Sequence, residues 1–177
     1  IEARGRFLDS SQISVVPLGG RHVNYLWKLL HELGIPYVTL LDLDRERPGG
    51  GWGRIQYALK QLLNLKIPKS RLLHCCSNGE SHVLTDEELE DIPLWDIEDT
   101  KCMNGWLTDL RQYDVFFAEP LDLDFMMLTA LPEQYRSSYD RGRGPKIPES
   151  DEKREKRLER AIISVLKKPD GCVEPYS

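Results

Sequence analysis

Between positions 22 and 33, Val23, Leu26, Trp27, Leu29, Leu30 and Leu33 recur at helical spacing, which predicts a helix from His22 to Leu33. Gly34 and Pro36 end it. The pattern changes on either side. Ile13 to Leu18 is β-rich and closes on Gly19 and Gly20, while Tyr37 to Leu41 is an unbroken apolar run of the kind buried on both faces of a sheet. Strand, helix and strand within about thirty residues form a βαβ unit whose crossover makes the strands parallel. The fold class expected is therefore α/β, a parallel sheet flanked by helices.

Further along, residues 45 to 53 hold Pro48, Gly49, Gly50, Gly51 and Gly53 and read as a mobile loop, without the Gly-Lys-Ser/Thr ending of a phosphate loop. Helical periodicity returns over 54 to 65, and Arg71 to Cys75 offers another strand. Thr100 to Gln112 reads as a helix and Asp114 to Ala118 as a strand. Leu121 to Leu131 is apolar nearly all round, as in a buried helix. Residues 136 to 149, polar and rich in Gly and Pro, look like a linker. Residues 150 to 177 open with four acids and five bases behind Ser150 as an N-cap, and predict a charged helix beginning a mainly helical C-terminal extension. The organisation expected is a core over 1 to 135 with an acidic insert near 66 to 112, the linker, and that helix.

The length of 177 residues and 40% hydrophobic content fit one globular body. No run of about 18 apolar residues is present to span a membrane, and no secretory signal layout opens the chain, so the expectation is a cytoplasmic protein without a membrane partner. The formal charge of -5 argues against a generic nucleic-acid coat. Its distribution changes that picture. Residues 86 to 99 hold eight acids and no base, and removing those eight from the total leaves +3, so a polyanion can be accommodated elsewhere on the surface. The acidic run itself reads as a solvated loop. Cys75, Cys76, Cys102 and Cys172 lack any C-x-x-C spacing and read as reduced, idle thiols; His31 and His82 read as surface residues.

The tetrapeptide Leu-Asp-Leu-Asp occurs twice, ending at Asp44 and at Asp124, each time after an apolar β-type run. Fourteen aspartates in 177 residues give about one Asp-x-Asp pair by chance, so position has to carry the signal. Asp42 and Asp44 fall at the carboxyl end of a parallel strand, where open α/β sheets place ligands. Continued strand geometry would project both to one side, about 6 to 7 Å apart, a pairing that a cation would neutralise. Oxygen donors favour Mg²⁺ or Mn²⁺ over zinc. Asp122 fits equally the N-cap of a following helix, with Asp124 in its first turn. If strand 114 to 118 lies beside strand 37 to 41, Asp42, Asp44, Glu119, Asp122 and Asp124 converge on one sheet edge. Metal ligation and ordinary capping both remain open at this point. At that edge Gly19, Gly20, Arg21 and His22 offer backbone N–H groups and positive charge to an anion such as phosphate.

The succession Ile13-Ser-Val-Val-Pro-Leu-Gly-Gly-Arg21, a helix, Gly34-Ile-Pro and Val38-Thr-Leu-Leu-Asp42-Leu-Asp44 resembles the TOPRIM domain of the overcoming-lysogenization-defect (OLD) nucleases. Val115-Phe-Phe-Ala-Glu-Pro-Leu-Asp122-Leu-Asp124 resembles that family's second acidic motif. The resemblance implies a metal-dependent DNA endonuclease or nickase, fused to or associated with an ABC-type ATPase, homo-oligomeric and often serving phage defence. It makes Asp42, Asp44 and Asp122 the catalytic acids, and the metal ligands of two Mg²⁺ or Mn²⁺ ions are drawn from these with Glu119 and Asp124. Arg21, Arg45 and Arg47 would hold phosphate. The family's glutamate-bearing first strand would precede Ile1, and its late lysine would follow Ser177. The alternatives are a TOPRIM of the primase or topoisomerase kind, or a non-catalytic TOPRIM-like binding module.

Overall fold

The computed structural model describes residues 13–18, 23–45, 47–77 and 80–130. The linker at 136 to 149, the charged helix at 150 to 177 and the Gly19–His22 turn lie outside the described residues. The chain divides into two compact units, residues 1–37 and 38–177.

In the first unit, α1 (Val23–Glu32) follows the predicted periodicity, with Val23 and Trp27 as its buried residues. Trp27 and Tyr37 approach with ring centroids 6.4 Å apart. The strand expected at Ile13 to Leu18 is not formed, because β-type residues become a strand only where a neighbouring backbone completes the ladder. Residues 13–18 are irregular, and Ile13, Val15 and Val16 stand exposed. Of the βαβ unit, the helix and second strand are therefore present and the first strand is not.

In the second unit, β1 (Thr39–Asp42) pairs in parallel with β4 (Val115–Ala118), Thr39 opposite Val115 and Asp42 opposite Ala118. This adjacency brings the two Leu-Asp-Leu-Asp segments to the same end of the sheet. Between the two strands the chain builds α2 (Trp52–Asn64), the short α3 (Lys69–Leu72), the antiparallel hairpin β2 (His74–Ser77) and β3 (Glu80–Val83), α4 (Asp86–Asp91) and α5 (Thr100–Arg111). The helix α6 (Leu123–Ala130) follows β4. The core is made by Trp52, Ile55, Ala58, Leu59 and Leu62 of α2, Met103, Trp106, Leu107 and Leu110 of α5, and Val115, Phe117 and Ala118 of β4. The architecture is α/β, a small parallel sheet with helices about it.

Three expectations change. The glycine-rich segment is a hydrogen-bonded turn rather than a mobile loop: Arg47 N–H donates to the Asp44 carbonyl, Gly50 N–H to that of Arg47, and Gly51 N–H to that of Leu43, each at 2.8 Å. The acidic run is helical over its first part and a loop only over residues 95–99, with most of its acids exposed. Thr85 and Glu88 close a capping box that starts α4, and the apolar residues Leu89 and Ile92 within the run are buried. Trp95 then packs edge-on against Trp52, centroids 5.0 Å apart, while Trp52 Nε1 donates to the Asp96 carbonyl at 2.9 Å. Lastly, α6 is not buried all round. Phe125 is covered, but Leu123, Met126 and Met127 are about 40 to 47% exposed, since an apolar circumference does not itself supply neighbours on every side.

Candidate metal and phosphate site

Both acidic segments leave the sheet at its carboxyl end and are fixed to one another by backbone bonds. Leu43 N–H donates to the Ala118 carbonyl at 3.3 Å, Asp44 N–H to that of Leu121 at 2.7 Å and Arg45 N–H to that of Pro120 at 3.1 Å. The strand ends at Asp42, and Asp44 adopts φ 52°, a left-handed conformation that aspartate tolerates better than most residues. The two acids therefore part company. Asp42 stays exposed at the strand end, whereas Asp44 turns inward and is 5% exposed.

Burial of Asp44 is compensated by two guanidinium groups. Its Oδ1 accepts from Arg47 Nη1 and its Oδ2 from Arg54 Nη2. Arg47 Nη2 also donates to Asp122 Oδ2 at 2.8 Å, so one arginine ties the first acidic segment to the second. Asp122 Oδ1 accepts from Phe125 N–H at 2.8 Å and caps α6. Burial works against the charge on Arg47, but its bonds to Asp122 and Asp44 outweigh that and hold it protonated beyond the usual arginine range. Asp42 accepts a longer bond from Leu123 N–H, 3.3 Å. Burial raises its pKa; the Leu123 bond opposes this, and the charges of Asp44 and Asp122 raise it further.

The other predicted residues are placed as follows among the described ones. Glu119 pairs with Arg111 at 2.9 Å, and Asp124 is exposed in the first turn of α6. Arg45 Nη2 donates to the Ile97 carbonyl at 2.7 Å, with Glu98 at 3.7 Å, and so anchors the acidic insert. Arg47 faces carboxylates. Gly19, Gly20, Arg21 and His22 lie outside the described residues. Arg54, which sequence reasoning missed, sits in the first turn of α2 directly after the glycine turn; an arginine returning toward an Asp-x-Asp segment is the signal that could have found it.

Could this arrangement take a divalent ion? The donors are hard oxygens, the right kind for Mg²⁺ or Mn²⁺, and the raised pKa of Asp42 comes first from burial and only then from the neighbouring charges of Asp44 and Asp122. In the geometry described, the oxygens of Asp44 and Asp122 are engaged by arginines and a helix cap. Among the described residues no group of three or more His, Cys, Asp or Glu is disposed to hold an ion. The donors are thus of the right chemical kind, but in the arrangement described arginines, not an ion, neutralise them.

Residues 1–44 match the family described as overcoming lysogenization defect protein-like, TOPRIM domain, and the match takes in Asp42 and Asp44. Residues 1–44 carry OLD-like TOPRIM sequence. The parallel pairing of β1 with β4 between helices is compatible with a TOPRIM sheet. A TOPRIM domain points to metal-binding chemistry of the nuclease or primase kind, and TOPRIM domains generally bind divalent metals such as Mg²⁺. No curated protein and no solved structure matches the chain. Among the described residues, no helix is long and apolar enough to cross a membrane.

Proposed function

We propose that this OLD-like TOPRIM sheet end hydrolyses DNA phosphodiesters as a metal-dependent endonuclease or nickase. The observation that carries the reading is the meeting of Asp42, Asp44 and Asp122 at the carboxyl ends of two adjacent parallel strands, the latter two joined through Arg47 and Asp42 bonded to Leu123 N–H. Three carboxylates beside two arginines are a poor arrangement for stability alone, since each ion taken from water carries a desolvation cost that pairing must offset. They suit a site that handles both a cation and an anion. Two bound Mg²⁺ or Mn²⁺ ions would activate a water and stabilise the leaving oxygen. Asp42, which forms no arginine salt bridge among the described residues, would be the first ligand, with Asp44 and Asp122 completing the set. The carboxylates would serve as ligands rather than as proton carriers. Arg47 and Arg54 would orient the phosphate and offset its charge. In this reading the biological substrate is DNA, the working partner is an ABC-type ATPase domain, the assembly is homo-oligomeric and the setting is phage defence.

A second reading, a binding module without catalysis, draws on the engagement of Asp44 and Asp122 by arginine. Incubation of supercoiled plasmid with the chain in Mg²⁺ or Mn²⁺ separates the two. Nuclease function predicts nicked or linear product that disappears with EDTA and falls at least about a hundredfold in Asp42→Asn, the scale on which removal of a transition-state contact acts. Cleavage that is indifferent to EDTA and to Asp42→Asn would overturn the proposal.

A further inference from the structure

The second unit also holds an open cleft of about 1160 Å³ between the α3 to β3 segment, α4 with the turn after it, and α5. None of Asp42, Asp44, Asp122, Arg47 and Arg54 lines it. The cleft exceeds the roughly 300 to 1,000 Å³ of pockets that enclose a small ligand, and so suits a stretch of extended chain. Its walls are aromatic where they are most buried. Trp52 and Trp106 are 2% and 4% exposed, and the less buried Trp95 lies with its ring centroid 5.0 Å from that of Trp52 and 6.1 Å from that of Trp106.

Around these rings the cleft is acidic. Asp91, Asp96, Asp99 and Asp109 line it in exposed positions, and none of the four forms an ion pair among the described residues. With Glu88 they set five acids against two bases, Arg71 and Lys101, so the cleft is anionic at neutral pH and repels a nucleic acid. A glycine adds an independent observation. Gly105 stands inside α5, where glycine is less favourable than alanine, and it lines the cleft. A β-carbon there would meet nothing within 4 Å, so close packing does not call for glycine. What the missing side chain leaves is open access to the helix backbone beside Trp106.

We infer that this cleft is a docking groove for an arginine-rich, extended peptide segment of a partner protein. Its guanidinium groups pair with the cleft aspartates, one of them lies across the ring of Trp95, and its backbone passes over Gly105. A guanidinium is the cation that suits both halves of such a surface, since it meets carboxylates in a planar fork and stacks on an indole face. Docking here is independent of the chemistry at the sheet end.

Fluorescence anisotropy of labelled octa-arginine titrated with the full chain at about 0.15 M salt tests this. Wild type is expected to bind saturably. Asp91→Asn combined with Asp109→Asn, two exposed cleft acids, is expected to weaken binding about tenfold. Glu32→Gln combined with Glu87→Gln removes the same charge from exposed positions outside the cleft and is expected to change binding less than about twofold. Gly105→Gln alters no charge and favours the helix, so its thermal midpoint should hold or rise while binding weakens by about tenfold or more. Octa-lysine, which brings charge without the planar stack, should bind about three- to fivefold more weakly than octa-arginine. Equal weakening by the two double variants, or undiminished binding by a folded Gly105→Gln, would reduce the effect to general electrostatics and overturn the groove. Absence of saturable binding by wild type would overturn it too, as would octa-lysine binding as tightly as octa-arginine. Sedimentation without peptide covers the remaining occupant, since a dimer that Gly105→Gln dissociates would make the groove an interface with a second copy and overturn the assignment to a partner's arginines.

Discussion

Two aspartates separated by one residue carry unlike burdens. Asp44 is buried between Arg47 and Arg54, so Asp44→Asn removes the counter-charge of Arg54 and leaves Arg47 with Asp122 alone, and should cost about 3 kcal/mol, read from the urea midpoint. Asp42→Asn should change stability by less than about 0.5 kcal/mol, as befits an exposed residue. The sign follows from its raised pKa. Ionised Asp42 is disfavoured in the folded state above that pKa, the penalty fades as pH falls through it, and asparagine escapes the penalty at neutral pH. Loss of cleavage in Asp42→Asn therefore reports chemistry, while loss in Asp44→Asn reports chemistry and folding together. Gly50 makes a separate demand. A β-carbon there would run into the Asp44 carbonyl, so Gly50→Ala should destabilise by about 1 to 3 kcal/mol and loosen the turn that carries Arg47, seen as a lower thermal midpoint. None of this was visible in sequence, because spacing along the chain does not disclose that Asp44 leaves the strand with positive φ.

Elements were legible wherever a long periodic pattern was uncontested. Helices α1, α2 and α5 and strands β1 and β4 lie close to where apolar spacing puts them. The acidic run failed as a loop over its first part because its charges hid its apolar anchors, Leu89 and Ile92, and because the Thr85 to Glu88 capping box was not weighed against them. That cap is testable. Thr85→Ala should cost about 1 kcal/mol of stability, measured in urea. The pH dependence belongs to Glu88. The bond from Thr85 N–H, aided by His82, holds its carboxyl below the usual glutamate range, so its contribution is present at neutral pH and is lost as pH falls through that lowered pKa. Protection factors of the first-turn amides of α4, taken relative to the intrinsic exchange rate at each pH, should fall on that descent in wild type and be already low at neutral pH in Thr85→Ala. The strand at 13 to 18 failed for the opposite reason: its composition was right, but composition does not provide a ladder partner.

At the scale of the molecule, the informative fact was the repetition of Leu-Asp-Leu-Asp after two apolar runs, since pairing of those runs, if it occurred, would bring distant acids to one sheet end, and β1 does pair with β4. The identity of the counter-charges was not legible. Arg47 looked like a phosphate ligand and Arg54 like an ordinary helix residue, because which cation reaches a buried carboxylate depends on how a turn folds and not on the order of residues. Likewise Glu119 lies two residues from the inward-facing Leu121, yet it turns to Arg111 on α5. The matched family accounts for the first acidic segment; the geometry extends the argument to the second. The whole reading depends on a metal ion seated between them. Anomalous diffraction from crystals of the chain grown with Mn²⁺ addresses that most directly. The account predicts a strong anomalous peak about 2.1 Å from oxygens of Asp42 and of Asp44 or Asp122. Crystals in saturating Mn²⁺ with no peak at that sheet end would contradict it.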